Sequence, residues 1–140
     1  DGPEREALER RAAQLGVADR VEFRGSLPRD QALRILAGAR AAVLSSAWEN
    51  LPHAAVESLS VGVPVVATAV GGVPEVVRDQ ENGLLVPPND PDALAGALRR
   101  ILEEDGLRDR LAASAKQSVA ALSREAVYGR LEEILGEAAW

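Results

Sequence analysis

The chain has 140 residues, of which 46% are hydrophobic, 27% charged and 3% aromatic, a composition typical of a single globular domain. A net charge of −6 without a basic cluster argues against nucleic-acid binding, and the absence of cysteine excludes disulfides and thiolate metal sites. The single histidine excludes an imidazole zinc cluster, and no Ser/His/Asp arrangement can be identified. No apolar run approaches the ~18 residues of a membrane span and no signal peptide opens the chain, so we expect a cytoplasmic protein. We expect neither a metal nor a cofactor.

Helical and strand patterns alternate along the chain. After a turn at Asp1-Gly2-Pro3, apolar spacing predicts a helix over 4–15 and a short strand over 21–23. The remaining predicted strands cover 41–44, 64–68 and 83–86. The remaining predicted helices cover 29–38, 53–61, 75–78, the segment capped by Asn89 or Asp90, 107–121 and 123–137.

Short strands alternating with helices of about ten residues indicate a parallel sheet with helices on both faces. The predicted fold class is therefore α/β, with a Rossmann-like parallel sheet, in one domain over 1–140. The strands over 41–44 and 64–67 lack polar alternation, which predicts that both are buried on both faces. Ligands in such sheets bind where strands end and helices begin, so the candidate loops are 25–30, 45–53 and 68–74.

Two carboxylates, Glu49 and Glu57, flank Pro52 and His53 in the second of these loops. Because proline cannot lie deep in a helix, the helix should begin near Pro52, with Glu49 in the loop and Glu57 about one turn inside. At a rise of ~1.5 Å per residue the carboxylates would lie on the order of 10 Å apart, with the helix N-terminus between them. A phosphate ester over the helix end, with hydroxyl groups on either side, fits this pattern. A plainer interpretation stays open. In it the Glu49 charge interacts favourably with the N-terminal end of the helix dipole, and Glu57 faces solvent or forms a hydrogen bond with nearby backbone.

Several ordered segments resemble the C-terminal half of the retaining, nucleotide-sugar-dependent glycosyltransferases of family 4, which have the two-domain GT-B fold. These segments are "DGPEREAL", "DRVEFRGSLP", "ENLPHAAVE" and "SLSVGVPVVATAVGGVPEVVRDQENGLLVPPNDPDALAGAL". The resemblance implies the donor-binding portion of a hexosyltransferase in polysaccharide or glycoconjugate biosynthesis. That enzyme would transfer a sugar from a nucleotide diphosphate sugar, its co-substrate, to a hydroxyl acceptor with retention.

The resemblance also implies roles for individual residues. Glu49 would act in catalysis and accept hydrogen bonds from hydroxyls of the donor sugar, and Glu57 would bind the nucleotide ribose. Backbone amides just after Glu49 would cradle the phosphates, namely those of Leu51, His53 and Ala54. The nucleobase would rest against Ser26 and Leu27. We expect the His53 side chain to cap or pack rather than to catalyse, because the catalytic-site histidine of related enzymes belongs to the N-terminal domain.

The sequence departs from the family pattern in two ways. Many members have Gly-Phe-Gly after the first glutamate, where this chain has Asn50-Leu51-Pro52, and Pro52 offers no N–H to a phosphate. The arginine and lysine that hold the diphosphate lie upstream of the Asp-Gly-Pro turn in these enzymes, and Lys116 falls in a late helix. We therefore expect a chain without the first strand and helix of its domain and without the N-terminal acceptor domain. Such a chain would bind donor weakly, catalyse nothing measurable, and meet a membrane only through that absent domain.

The last predicted helix carries an apolar stripe that consists of Val127, Leu131, Ile134 and Leu135, with Trp140 behind it. One hypothesis is that the stripe forms a homodimer, and the other is that it packs on its own sheet. Two further functions compete with the transferase: a non-catalytic nucleotide- or sugar-phosphate-binding module, and a fragment of a GT-B-like epimerase or phosphorylase.

Overall fold

The computed structural model describes residues 2–138 and contains a three-stranded parallel sheet with the strand order β1-β2-β3. The strands are β1 (Ala42–Leu44), β2 (Val65–Thr68) and β3 (Gly83–Val86). The helices are α1 (Arg5–Gln14), α2 (Arg29–Ala37), α3 (His53–Ser60), α4 (Val73–Val76), α5 (Pro91–Glu103), α6 (Leu107–Ser118) and α7 (Arg124–Ala138). Two 3₁₀ turns, Ala18–Arg20 and Ala120–Leu122, complete the elements. None of the helices within residues 2–138 is long and apolar enough to cross a lipid bilayer.

The chain divides into two compact units, Asp1–Ala32 and Leu33–Trp140. In the first unit Ala12 is the one buried residue among those that the structure describes. The second unit contains the sheet and its core. The single domain expected over 1–140 stays a prediction.

The predicted strand over 21–23 is wrong. Val21 has extended backbone angles, φ −116° and ψ 121°, but no strand in residues 2–138 pairs with this segment. A strand needs a neighbour to bond its N–H and C=O groups, so the segment stays irregular. Within the first unit the Arg5 guanidinium lies over the Phe23 ring, 5.8 Å from its centroid, and donates to the Phe23 carbonyl at 3.2 Å.

The strand β2 is central and fully buried, whereas β1 lies at an edge of the sheet that residues 2–138 form. Val43 in β1 is 48% exposed, so the prediction that this strand is buried on both faces is wrong. Val43 pairs with Val66, but α5 packs over β2 and β3 and leaves Val43 uncovered. The apolar run of β1 therefore reflects one covered face and one open face.

Successive residues of β2 point to opposite faces of the sheet, which creates two cores. The first core contains Val65 and Ala67 and packs against residues in α3 and in or just after α4 and α6, namely Ala55, Leu59, Val73, Val76, Val77, Ala115 and Val119. The second contains Val66 and packs against β3, α5 and the start of α6, through Leu84, Val86, Ala97, Ile101, Leu107 and Leu111. Helices therefore cover both faces, and the α/β prediction is confirmed.

The apolar stripe of α7 is exposed, and the alternative in which it packs on the sheet is wrong for its described members. These are Val127, Leu131, Ile134 and Leu135, each between 47% and 60% exposed. The helix packs mainly against the second 3₁₀ turn. Trp140 lies outside the described residues. A homodimer through the stripe stays a prediction.

Candidate functional site

Glu49 lies in the loop that joins the end of β1 to the start of α3. Its carboxylate is half-buried, and Oε1 accepts a hydrogen bond of 2.9 Å from the Ser46 hydroxyl. The Ser46 carbonyl in turn accepts a hydrogen bond of 2.6 Å from the hydroxyl of Thr68, the last residue of β2. The carboxylate is therefore linked to the central strand through one intervening residue.

The loop after β2 packs directly on the backbone of the Glu49 loop. A Cβ atom on Gly71 would overlap the Glu49 carbonyl oxygen, and a Cβ atom on Gly72 would overlap the Asn50 carbonyl oxygen. The Gly72 N–H donates to the Glu49 carbonyl at 3.3 Å, and Gly71 has a φ of 49° that favours glycine. These glycines therefore allow a close approach of the loop to the protein's own backbone.

The start of α3 offers backbone N–H groups beside Glu49. Pro52 is the N-cap residue and provides no side-chain cap, as expected for a helix that begins at His53. The N–H of His53 donates to the Leu51 carbonyl at 2.9 Å. Within the part of the chain that the structure describes, the N–H groups of Leu51 and Ala54 donate to no backbone carbonyl, and both residues are exposed. Two of the three predicted amides, the open amides, therefore have no backbone acceptor among the described residues.

Glu57 lies one turn inside α3, where the position of Pro52 predicted it, and is half-buried. The structure therefore places Glu49, the two open amides and Glu57 along one continuous segment at the carboxyl end of β1. Ser26 is exposed and Leu27 is half-buried, and both lie ahead of α2 in the first unit. Their contact with a nucleobase stays a prediction.

A cavity of about 310 Å³ opens at the carboxyl ends of the strands. Its lining consists of Ser45, Thr68, Asn89, Asp90, Pro91 and Leu94. This lining offers hydroxyl, amide and carboxylate groups and contains no cation, so it suits neutral polar groups better than phosphate. The only lysine, Lys116, lies with its side chain against Gly62, beyond the C-terminal end of α3. It therefore lies away from the open amides at the other end of that helix.

A parallel sheet with helices on both faces is a domain of the Rossmann-like α/β class, in which ligands bind where strands end and helices begin. The family model described as glycosyl transferases group 1 matches residues 1–118. The chain belongs to this family.

Individual relatives agree with the family match. A D-inositol 3-phosphate glycosyltransferase of Thermomonospora curvata is 38% identical over 129 residues, which cover 92% of this chain and 30% of that protein. The structure of sucrose-phosphate synthase from Thermosynechococcus elongatus matches with a TM-score of 0.87 and 34% identity, over 99% of this chain and 36% of that one. The structure of Anabaena Alr3699/HepE in complex with UDP matches with a TM-score of 0.86 and 25% identity, over 94% of this chain and 36% of that one.

These matches confirm the predicted fold class, a Rossmann-like parallel sheet that resembles the C-terminal half of the GT-B fold. The chain spans about a third of the length of the relatives that it matches, between 30% and 36% for the three described above.

Proposed function

We propose that this chain is the donor-binding portion of a retaining family 4 glycosyltransferase. The complete enzyme would transfer a sugar from a nucleotide diphosphate sugar to a hydroxyl acceptor. The observation that carries the proposal is the segment from Glu49 to Glu57, which presents two half-buried carboxylates with open helix-start amides between them. Membership of the glycosyl transferases group 1 family supports the same reaction class.

In this proposal each part of the donor meets a different chemical group. The Glu49 carboxylate accepts hydrogen bonds from hydroxyls of the transferred sugar, because charged acceptors bind hydroxyls more strongly than neutral ones. The diphosphate lies over the start of α3, where the N–H groups of Leu51 and Ala54 and the helix dipole favour an anion. The ribose hydroxyls bind Glu57, and Ser26 and Leu27 contact the base.

The N–H of His53 has a different status, because it already donates to the Leu51 carbonyl. This bond joins residues two apart and closes a tight turn. A phosphate that recruits the His53 amide must first open this bond. We therefore assign the main phosphate contacts to the other two amides and keep His53 as a contact formed on binding.

Catalysis requires electrostatic support on both sides of the bond that breaks. Positive charge develops at the sugar as the diphosphate departs, and preorganised groups must stabilise both. In this proposal Glu49 acts on the sugar side. The helix-end amides supply part of the support for the diphosphate, but the segment 45–57 that contains them has no lysine or arginine. We therefore propose that the 140-residue chain alone binds donor weakly and does not catalyse transfer.

We also propose that the domain of the longer protein contains a strand and a helix ahead of this sequence. In residues 2–138, β1 has a hydrogen-bonded neighbour on one side only, and Val43 is 48% exposed. Open sheet edges of this kind are usually paired or covered. The greater length of the relatives is consistent with further sheet and with a separate acceptor domain.

A non-catalytic nucleotide- or sugar-phosphate-binding module is the second candidate, and a fragment of a GT-B-like epimerase or phosphorylase is the third. The amides at the start of α3 suit any phosphate ester and therefore favour the module as much as the transferase. Tight nucleotide binding by these 140 residues alone would favour the module.

Ligand-detected NMR against UDP-, GDP- and ADP-sugars tests the proposal on this chain. UDP-glucose is the first ligand to test, because HepE was solved with UDP. We expect weak binding of one nucleotide class and its loss in Glu57→Ala. Glu103→Ala provides the matched control, since Glu103 is an exposed glutamate at the end of α5. An unchanged affinity in Glu57→Ala would show that the ribose assignment is wrong.

A further inference from the structure

Two hydroxyl groups link the end of the central strand to the Glu49 carboxylate. The Thr68 hydroxyl donates to the Ser46 carbonyl at 2.6 Å, and the Ser46 hydroxyl donates to Glu49 Oε1 at 2.9 Å. We infer that Ser46 and Thr68 are positioning residues, which hold Glu49 in the orientation that receives the sugar hydroxyls. This inference rests on the proposed role of Glu49.

Thr68 is the rigid end of this relay, by which we mean the two hydrogen bonds that link Thr68 to Ser46 and Ser46 to Glu49. It is 5% exposed, it ends the fully buried strand β2, and it lies opposite Val86 of β3. Its hydroxyl also lies 3.4 Å from the Leu44 carbonyl at the end of β1. The bond to the Ser46 carbonyl therefore ties the first part of the Glu49 loop to the best-packed strand of the sheet.

The Glu49 main chain is held from the opposite side. The Gly72 N–H donates to the Glu49 carbonyl, and the contact with Gly71 leaves no space for that carbonyl to move inward. With the backbone held at both points, the remaining freedom of Glu49 lies in its side-chain torsions. The Ser46 hydroxyl restricts those torsions and leaves Oε2 to accept bonds from a ligand.

Such restriction has a functional rather than a structural value. A free glutamate loses rotamer entropy when it binds a ligand, and an internal hydrogen bond lowers that loss. The Ser46 hydroxyl is only part-buried, and its hydrogen bond to Glu49 joins two residues of the same loop. Its removal should therefore reduce sugar recognition with little effect on the free energy of unfolding.

The first experiment compares the affinities of UDP-glucose and UDP for the 140-residue chain. Glu49→Gln tests the proposed function. It should remove most of the advantage of UDP-glucose, which is the affinity that the glucose adds relative to UDP. Ser46→Ala should weaken UDP-glucose binding by roughly three- to tenfold, the range expected for the loss of one ordinary intramolecular hydrogen bond, and leave UDP binding unchanged. Ser46→Thr keeps a hydroxyl and should restore much of the loss. Ser60→Ala is the matched control, because the Ser60 hydroxyl donates to the Glu57 carbonyl rather than to a carboxylate.

The outcomes separate the inference from the proposed function. If Glu49→Gln does not change the advantage of UDP-glucose, the sugar-binding role of Glu49 is wrong. If Glu49→Gln removes that advantage and Ser46→Ala does not, the relay is wrong. Ser46→Ala added to Glu49→Gln should cause no further loss, because both changes interrupt the same contact.

A second measurement needs no ligand. Side-chain scalar couplings of isotope-labelled glutamate report whether Glu49 occupies one rotamer or averages over several. We expect averaging in Ser46→Ala and in Thr68→Val, and a single rotamer in Ser46→Thr, Thr68→Ser and Ser60→Ala. A single Glu49 rotamer in Ser46→Ala would overturn the inference, whatever its effect on stability.

Discussion

Gly71 and Gly72 occupy the positions where the loop after β2 touches the backbone of Glu49 and Asn50. An added Cβ atom at either position would overlap a carbonyl oxygen of the facing loop. The two residues differ in one respect, because Gly71 has a positive φ and Gly72 has a φ of −80°. A substitution at Gly72 therefore tests the close approach without backbone strain.

We expect Gly72→Ala to destabilise the chain by about 2 kcal/mol or more, because one of the two loops must move to admit the methyl group. Urea denaturation followed by circular dichroism measures the change. Gly96→Ala is the matched control: Gly96 lies in α5, and an added Cβ there meets nothing within 4 Å. That variant should be more stable by about 0.5–1 kcal/mol, through helix propensity. Equal stability of Gly72→Ala and wild type would contradict the packing of the two loops.

Local sequence patterns predicted most elements of the second unit, within one or two residues. The periodicity of α5 and the turn chemistry before it identified the helix and restricted its N-cap to Asn89 or Asp90. The structure selects Asp90, whose carboxylate accepts from the Ala93 N–H at 2.8 Å. Asn89 instead has a φ of 58° and belongs to the preceding turn. The helix α4 covers Val73–Val76 rather than 75–78, and Pro74 lies in its first turn, as the sequence predicted.

The side chain of Asp90 stabilises the start of α5, where its carboxylate accepts from the Ala93 N–H. Asp90→Ala should lower the free energy of unfolding by about 1 kcal/mol, because it leaves a first-turn N–H without an acceptor. Asp90→Asn should preserve stability, since asparagine caps helices as well as aspartate does. Thermal and urea unfolding of both variants provides the measurement. An equal loss in the two variants would indicate that the charge, rather than the cap geometry, stabilises α5.

The two units differ in how much apolar surface they bury. The core of the second unit contains many fully buried side chains, whereas Ala12 is the one buried residue among residues 2–32. Backbone hydrogen bonds are protected from exchange in proportion to the cooperative packing around them. The difference in buried apolar surface therefore predicts that amides of the second unit are better protected from exchange than amides of the first.

We expect hydrogen exchange to distinguish the units within the intact chain. Amides of α1 should exchange through local opening at a free energy well below that of β2, because α1 covers little apolar surface. Exchange measured by mass spectrometry or NMR over a series of low urea concentrations gives both values. Equal protection of α1 and β2 would mean that 1–140 unfolds as the single domain that the sequence predicted.

The alternation of strands and helices, the α/β class and the Glu49–Glu57 segment could all be read from the sequence. They depend on periodicity, on turn and cap residues and on one contiguous motif, which are local properties of the chain. The edge position of β1, the contact of Gly71 and Gly72 with the Glu49 loop, and the relay from Thr68 to Ser46 were decided by tertiary structure. So was the burial of Asn82, whose amide donates to Val76 and, across 36 positions, to Ser118. Each of these depends on segments that meet only when the chain packs, and hydrophobic periodicity contains no information about such contacts.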